Sequence, residues 1–206
     1  MFFSIILPTF NRSYCLSTAI ESVICQTTSD WELFIVDDGS TDNTSENIKQ
    51  FLSDDRLRYF RIEHSGAVNA KNFGINIAEG KYVTFLDSDD EYYPEHLLMR
   101  KQLLENDEDI DALYGGLQII GEPYVPDINA PSKLIHINDC FVGGTFFIRK
   151  EILKSLGRFP SVKYGEDYTL MQQLIERKSK IVKVEYPTYI YKRTSEDSVC
   201  LNYSNH

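Results

Sequence analysis

Along the first half of the chain, short runs of bulky apolar residues alternate with segments whose apolar positions recur every three or four residues. The runs Phe3–Leu7, Glu32–Val36, Leu57–Ile62 and Tyr82–Leu86 are rich in β-branched and aromatic residues and predict strands. Helices are predicted over Ser13–Cys25, Asp42–Leu52, Ala67–Ala78 and Pro94–Leu104. Ala19, Ile20, Val23 and Ile24 form one helical stripe; Ala70, Phe73, Gly74 and Ile77 form another. Both read as core faces. Pro94 suits a helix start, where its fixed φ costs no hydrogen bond. Strand–helix alternation of this kind predicts an α/β fold with a mostly parallel sheet flanked by helices.

The second half is less regular. A strand near Ala112–Tyr114 leads through Gly115-Gly116 to Leu117–Ile120. Gly121 to Lys133, with Pro123, Pro126 and Pro131, reads as the least structured segment. Phe141 to Ile148 reads as a strand entered through a glycine turn. Glu166 to Arg177 is a predicted helix with Leu170, Leu174 and Ile175 on one face. Ile181–Val184 and Tyr189–Tyr191 are expected to close the sheet, giving a smaller mixed or antiparallel portion.

At 206 residues the chain fits one domain, 1–206. A hydrophobic fraction of 42% supports a sizeable core, and a net charge of −10 argues against a nucleic-acid partner or docking to an anionic bilayer. No apolar stretch approaches the roughly 18 residues of a membrane helix. The amino-terminal run lacks a basic flank and breaks at Pro8, unlike a signal peptide. Cys15, Cys25, Cys140 and Cys200 lack paired or zinc-like spacing, so reduced thiols packed as small core residues are expected. The expected address is the cytoplasm, with peripheral attachment at the inner face of a membrane left open.

The chemistry gathers where predicted strands end. Tyr82–Leu86 runs straight into Asp87-Ser88-Asp89-Asp90. Crowding like charges is unfavourable unless a cation or donors neutralise them. In an open α/β sheet, ligands bind at the carboxyl ends of strands. In extended backbone Asp87 and Asp89 face one side and could share a site, and hard oxygen ligands suit Mg²⁺ or Mn²⁺. A solvated acidic turn leading to the next helix is the competing reading. A second apolar run, Leu33–Val36, ends in Asp37-Asp38-Gly39-Ser40-Thr41-Asp42. Capping accounts for Ser40, Thr41 and Asp42, but not for Asp37 and Asp38. The first strand ends in Pro8-Thr9-Phe10-Asn11-Arg12, so three strand exits carry groups suited to a base, a ribose and a diphosphate.

Pro8-Thr9-Phe10-Asn11, Asp37 to Asp42, Ala70-Lys71-Asn72-Phe73-Gly74, Leu86 to Asp90 and Gly165-Glu166-Asp167 occur in that order. In order and spacing they resemble the family 2 glycosyltransferases of the A-type fold, from Phe2 to about Tyr191. The resemblance implies that about 1–115 bind a nucleotide sugar, a UDP-sugar foremost. It implies that about 116–206 present a glycan or lipid-linked saccharide acceptor, in a protein that could form a homo-oligomer.

It places Phe10 against the base, although periodicity alone favours core, and adds Pro8, Thr9 and Asn11 to the donor site. Asp38 matches the carboxylate that accepts the uracil imide N–H, while Asp37 supports the turn. Lys71 stands where the family often has arginine, beside base and phosphates; a solvated helix lysine is the alternative. Asp89 is the implied metal ligand, Asp87 contacts ribose or the metal through water, and Ser88 adds a hydroxyl. Asp90 and Glu91 serve equally well at the dipole of the following helix.

Asp167 matches the catalytic base, with Glu166 in support; a helix N-cap is its competing role. Many relatives carry a histidine after a Tyr-x-Arg near the end, and Tyr191-Lys192-Arg193-Thr194-Ser195-Glu196-Asp197-Ser198 has none. Arg193 could instead neutralise the departing diphosphate. His64, His96, His136 and His206 are assigned to no site. The implied function is inverting, metal-dependent glycosyl transfer in polysaccharide, lipopolysaccharide or other glycan synthesis. Two alternatives stand beside it. One is a non-catalytic nucleotide-sugar-binding relative. The other is a receiver-like Mg²⁺-binding phosphoacceptor module, which the chain length and the Glu166-Asp167 motif oppose.

Overall fold

Strand β1 (Phe3–Thr9) runs through the middle of a computed structural model that describes residues 1–128, 130–162 and 165–193. Both β1 and β2 (Trp31–Asp37) are buried at every position, which is why their sequences read as near-continuous apolar runs. β1 pairs in parallel with β2 on one side and with β4 (Tyr82–Phe85) on the other. Parallel β3 (Leu57–Arg61) lies beyond β2. Helices α1 (Leu16–Ile24), α2 (Thr44–Ile48) and α3 (Ala67–Ile77) make the connections. The strand order β3-β2-β1-β4 therefore reverses between β1 and β4, and a crevice opens at the carboxyl ends there.

The sheet continues from β4 as β9-β6-β10-β5. Here β9 (Phe147–Arg149) is antiparallel to β4 and to β6 (Ala112–Gly121), while β10 (Ile181–Arg193) runs parallel to β6. The two-residue strand β5 (Glu91–Tyr92) pairs antiparallel with β10. A separate two-stranded sheet joins β7 (Tyr124–Asp127) to β8 (Ala130–His136). The fold is thus mixed α/β, with a large mostly parallel sheet and a small antiparallel one.

The sheet's period of two sends alternate residues to two apolar layers. Ile5, Leu7 and Leu33 pack with Ile20, Val23, Leu97 and Leu104 on the face covered by α1 and α4 (His96–Asn106). Ile6, Phe34 and Val83 pack on the other face with Ala70 of α3. Leu153 of α5 (Lys150–Ser155) joins them, with Leu170, Met171 and Leu174 of α6 (Glu166–Glu176). Leu170 is fully buried, so Leu170→Ala would cost about 2–5 kcal/mol.

Several expectations from periodicity are corrected. Gly121–Lys133 is not irregular: most of it belongs to the β7–β8 hairpin. A free-edged ladder tolerates Pro126, and the register shifts just after it. Phe141–Ile148 is not one strand, because Gly143–Thr145 form a 3₁₀ turn and the strand starts only at Phe147. Ile175 is 48% exposed and leaves the core face to Met171. The helix expected from Asp42 is a short α segment followed by a 3₁₀ turn, and α5 and β5 were not anticipated.

The two strand pieces expected at the end are one strand, β10, whose pairing with β6 jumps between Val184 and Tyr189. Opposite the jump, Gly115 and Gly116 hold φ of 90° and 76°, a region open to glycine. The fully buried Arg100 fills this irregularity, donating to Gly115 O and Thr188 Oγ1. Burial lowers its pKa to about 10. Cys15 and Cys140 are half-buried and Cys25 is exposed, so these thiols are not core residues. Tyr164, Thr194 to Ser198, Cys200 and His206 lie outside the described residues.

Candidate active site

The exits of β1 and β2 are tied together by short polar side chains. Asn11 holds a φ of 53°, a conformation asparagine tolerates. Its N–H donates to Ser40 Oγ at 2.9 Å, and its Oδ1 accepts from Thr41 N at 2.7 Å. Asp42 accepts from Ser13 N and Thr44 N, each at 3.0 Å, and these donors help lower its pKa to about 2 against the cost of burial. Asp37 accepts from Ser40 N at 2.8 Å and from the Tyr59 hydroxyl at 2.6 Å, as expected of a turn support. Thr9 is buried; its carbonyl accepts from Asp38 N, and its hydroxyl has no hydrogen-bond partner.

Asp38 is 2% exposed and already engaged on both oxygens. Oδ1 accepts from Ser65 N at 2.8 Å and Oδ2 from Gly66 N at 2.8 Å, so it clamps the entry to α3. His64 adds a third contact: Nδ1 lies 2.8 Å from Oδ2 and 3.0 Å from the Asp38 carbonyl. Ser65 Oγ makes a fourth, long contact to Oδ1 at 3.5 Å, the one a ligand N–H could most easily displace. The His64 ring stacks on Phe10 with centroids 4.2 Å apart. Phe10 is 40% exposed, so it is a surface aromatic and not the core residue that periodicity favoured. His64 was assigned to no site, yet it stands between Phe10 and Asp38. Only its place just before the Ser65-Gly66 helix entry hinted at this.

At the exit of β4 the extended backbone expected for Asp87 and Asp89 is replaced by a turn. Asp90 N donates to Asp87 O at 3.0 Å, with Ser88 buried inside the turn. Both carboxylates act on Asp90, but their other neighbours differ: Asp87 acts on Lys71 and Asp167, whereas Asp89 acts on Arg12 and Cys15. Asp90 does not serve the next helix. It is 1% exposed, accepting from the Tyr189 hydroxyl at 2.7 Å and from Lys192 N at 2.8 Å. Burial, with Asp87 adding to it, raises its pKa well above the carboxylate range. The Tyr189 hydroxyl also accepts weakly from Asp87 N at 3.4 Å.

Among the described residues no three His, Cys, Asp or Glu groups converge on a point that could hold a metal ion. The partly exposed Asp87 and Asp89 fit another mode, in which Mg²⁺ or Mn²⁺ takes one or two carboxylates and fills its shell with water and phosphate oxygens.

Lys71 joins the donor side to α6. It is 5% exposed, so the solvated-lysine alternative does not hold. Its Nζ lies 3.9 Å from Asp167 Oδ1 and 4.8 Å from the centre of the Phe159 ring. Burial opposes its charge, but Asp167, Asp87 and Glu166 outweigh that and raise its pKa. Gly165, with φ 78°, turns the chain into α6, and Glu166 and Asp167 occupy its first turn, complementing the helix dipole. Burial raises the Asp167 pKa to about 6, with Glu166 and Asp87 adding to it and Lys71 and the Gly143 N–H opposing.

Pro8, Thr9, Phe10, Asn11, Asp38, Lys71, Asp87, Ser88, Asp89, Glu166 and Asp167 thus gather around the crevice at the sheet's carboxyl edge. Arg193 does a different job. Its guanidinium donates to the carbonyls of Glu122 and Tyr124 at 2.7 and 2.6 Å, pinning the hairpin to β10.

A family model described as "Glycosyl transferase family 2" matches residues 4–157. The chain is 34% identical over 179 residues to the UDP-Glc:alpha-D-GlcNAc-diphosphoundecaprenol beta-1,3-glucosyltransferase WfgD of Escherichia coli, covering 84% of this chain and 69% of that protein. Among solved structures it superposes on S. aureus TarS 1-349 in complex with UDP-GlcNAc with a TM-score of 0.77 at 24% identity. It also superposes on the mannosyltransferase PcManGT from Pyrobaculum calidifontis in complex with GDP-Man and Mn2+, with a TM-score of 0.71 at 18% identity. These solved chains are longer: the match covers 96% of this chain but 60% and 58% of theirs.

Proposed function

Since the chain belongs to the family 2 glycosyltransferases and has their A-type fold, we propose that it transfers a sugar from a UDP-sugar to a hydroxyl of a lipid-linked saccharide or other glycan acceptor, with inversion at C1. The observation that carries this reading is Asp167 Oδ1, a buried carboxylate oxygen with no hydrogen-bond partner, facing Lys71 across the crevice from Asp87.

The base stacks at Phe10 and His64, and Asp38 accepts an imide N–H in place of the long Ser65 Oγ contact. Asp89 and Asp87 would hold Mg²⁺ or Mn²⁺, whose charge would offset that of the diphosphate. Lys71 adds a fixed positive charge on the same side. The acceptor O–H bond breaks as its proton passes to Asp167. The freed oxygen forms a bond to C1 while the bond from C1 to the diphosphate oxygen breaks, and the electron pair leaves on UDP. A single displacement of this kind inverts C1.

Two neighbours support the choice of partners: WfgD carries both a UDP-Glc donor and a diphosphoundecaprenol acceptor in its name, and TarS crystallised with UDP-GlcNAc. An acceptor anchored in lipid brings the protein to a membrane surface from the cytoplasmic side. None of the described helices is long and apolar enough to cross one. The test is a panel of nucleotide sugars scored for UDP release, with and without a diphosphoundecaprenol-linked saccharide. Acceptor-stimulated UDP release is expected. Donor binding without any release would leave the non-catalytic reading in its place.

A further inference from the structure

Two glycines in succession, Gly143 and Gly144, lie where the sequence suggested only a turn into a strand. They form a 3₁₀ turn that touches both halves of the site. A Cβ on Gly143 would stand 2.3 Å from Asp167 Oδ1, 2.7 Å from its Cγ and 2.8 Å from Oδ2. A Cβ on Gly144 would stand 2.1 Å from the Tyr189 hydroxyl oxygen, which holds Asp90. Real Cβ atoms essentially never approach other heavy atoms so closely, so both positions exclude any side chain unless the structure shifts.

The contact at Gly143 is also polar. Its N–H donates to Asp167 Oδ2 at 2.8 Å, while Oδ1 has no hydrogen-bond partner and lies 3.9 Å from Lys71. The two oxygens of one carboxylate therefore differ: one is anchored to main chain, and the other is buried beside Lys71 without a hydrogen-bond partner.

We propose that Gly143 is a positioning residue for the transfer reaction: its main-chain N–H, donating to Oδ2, fixes the carboxylate of Asp167 in the place from which it takes the acceptor proton. This rests on the reading of Asp167 as the base. A main-chain donor suits the task because it belongs to the turn that leads from β8 into β9 and cannot rotate away as a side chain can. A carboxylate anchored at one oxygen keeps the other aimed, and small displacements of a catalytic group are costly in rate.

The experiment is a double-mutant cycle on turnover with Gly143→Ala and Asp167→Asn, joined to a pH–rate profile and a donor titration. Gly143→Ala should lower kcat by about 10- to 100-fold with UDP affinity within about twofold of wild type. It should also move the acid limb of the profile to higher pH, because the added Cβ pushes the carboxylate off the Gly143 N–H, whose hydrogen bond had favoured the charged form. In the Asp167→Asn background the same substitution should cost less than about threefold. An equal cost in both backgrounds, or an unmoved acid limb, would overturn the positioning role.

A Gly143→Ala protein that does not fold moves the test to wild type. There the side-chain carboxyl of Asp167 is followed by carbon-13 NMR, with and without amide exchange at Gly143. An isotope shift across the hydrogen bond is expected, and its absence overturns the proposal. Wild-type protein without transfer activity would count against the functional reading, whereas this NMR shift reports on the Gly143 contact alone.

Discussion

Two strand ends carry the same kind of sequence, paired aspartates after an apolar run, and the fold treats them in opposite ways. At the end of β2, Asp37 and Asp38 together accept three main-chain N–H groups and the Tyr59 hydroxyl, and His64 joins Asp38. Their charge is largely met by the local chain, the weakest contact on Asp38 being that of Ser65 Oγ at 3.5 Å. At the end of β4, Asp90 is met in this way, by Tyr189 and Lys192. Asp87 and Asp89 stay partly exposed, Asp87 raising the pKa of Lys71 and Asp89 that of Arg12. Partly exposed carboxylates that shift the ionisation of buried neighbours are candidates for a ligand site. The two acidic strand ends are therefore not equivalent: the first clamps loops, and the second keeps partly exposed carboxylates that we propose serve phosphate and cation.

The largest effect expected lies across the crevice from both. Asp167→Asn keeps shape and capping while removing the proton acceptor. Turnover should fall by roughly 10²–10⁴ with donor affinity nearly unchanged, as single-turnover kinetics and calorimetry would show. Wild-type turnover in a folded variant would transfer attention to Glu166.

Asp38→Ala sharpens the comparison because this residue has two jobs. UDP affinity should drop by about 1.5–3 kcal/mol, on the order of 10- to 100-fold, and thermal stability should fall as well, since Ser65 N and Gly66 N lose their acceptor. Binding of inorganic diphosphate should change far less. A stability loss with unchanged UDP affinity would make the β2 end purely structural.

The pH dependence follows from Asp167, whose pKa is raised to about 6. The base form is the carboxylate, so turnover should be level above that pH and fall about tenfold per unit below it. Stability should run the other way. With a folded pKa above the unfolded value, this group contributes stability that is fully present below about 4 and is lost as pH rises through about 6. The smallest effect is expected of His64→Ala, which removes one ring of the Phe10 stack. UDP affinity should weaken by about 0.5–1.5 kcal/mol, and equal losses for UDP and for inorganic diphosphate would remove His64 from the base site.

Much of this was legible in the sequence because it depends on period and order. The parallel strands β1 to β4 are apolar runs at the expected places, and the motif order points to the family. What stayed hidden depends on contacts between distant segments. Apart from its place just before the Ser65-Gly66 helix entry, nothing near His64 signals that it meets Asp38 and Phe10. Tyr189 reads as a strand residue until β10 irregularly pairs with β6 and carries it to Asp90. Gly143 and Gly144 read as turn residues, although what they provide is room for Asp167 and Tyr189. The spacing of Asp87 and Asp89 misled because a strand was extrapolated two residues past its end, into a turn.

The contrast between the two acidic ends comes down to whether the β4 end binds donor phosphate through a cation. Calorimetric titration of UDP into wild type and Asp89→Asn, each with Mn²⁺ and with EDTA, addresses it directly. Wild type should bind UDP at least tenfold more tightly with Mn²⁺ than with EDTA, and Asp89→Asn should lose most of that gain while keeping the affinity seen in EDTA. Equal affinity of wild type in both conditions, or an undiminished gain in Asp89→Asn, would contradict the assignment of the β4 end as the cation and phosphate site.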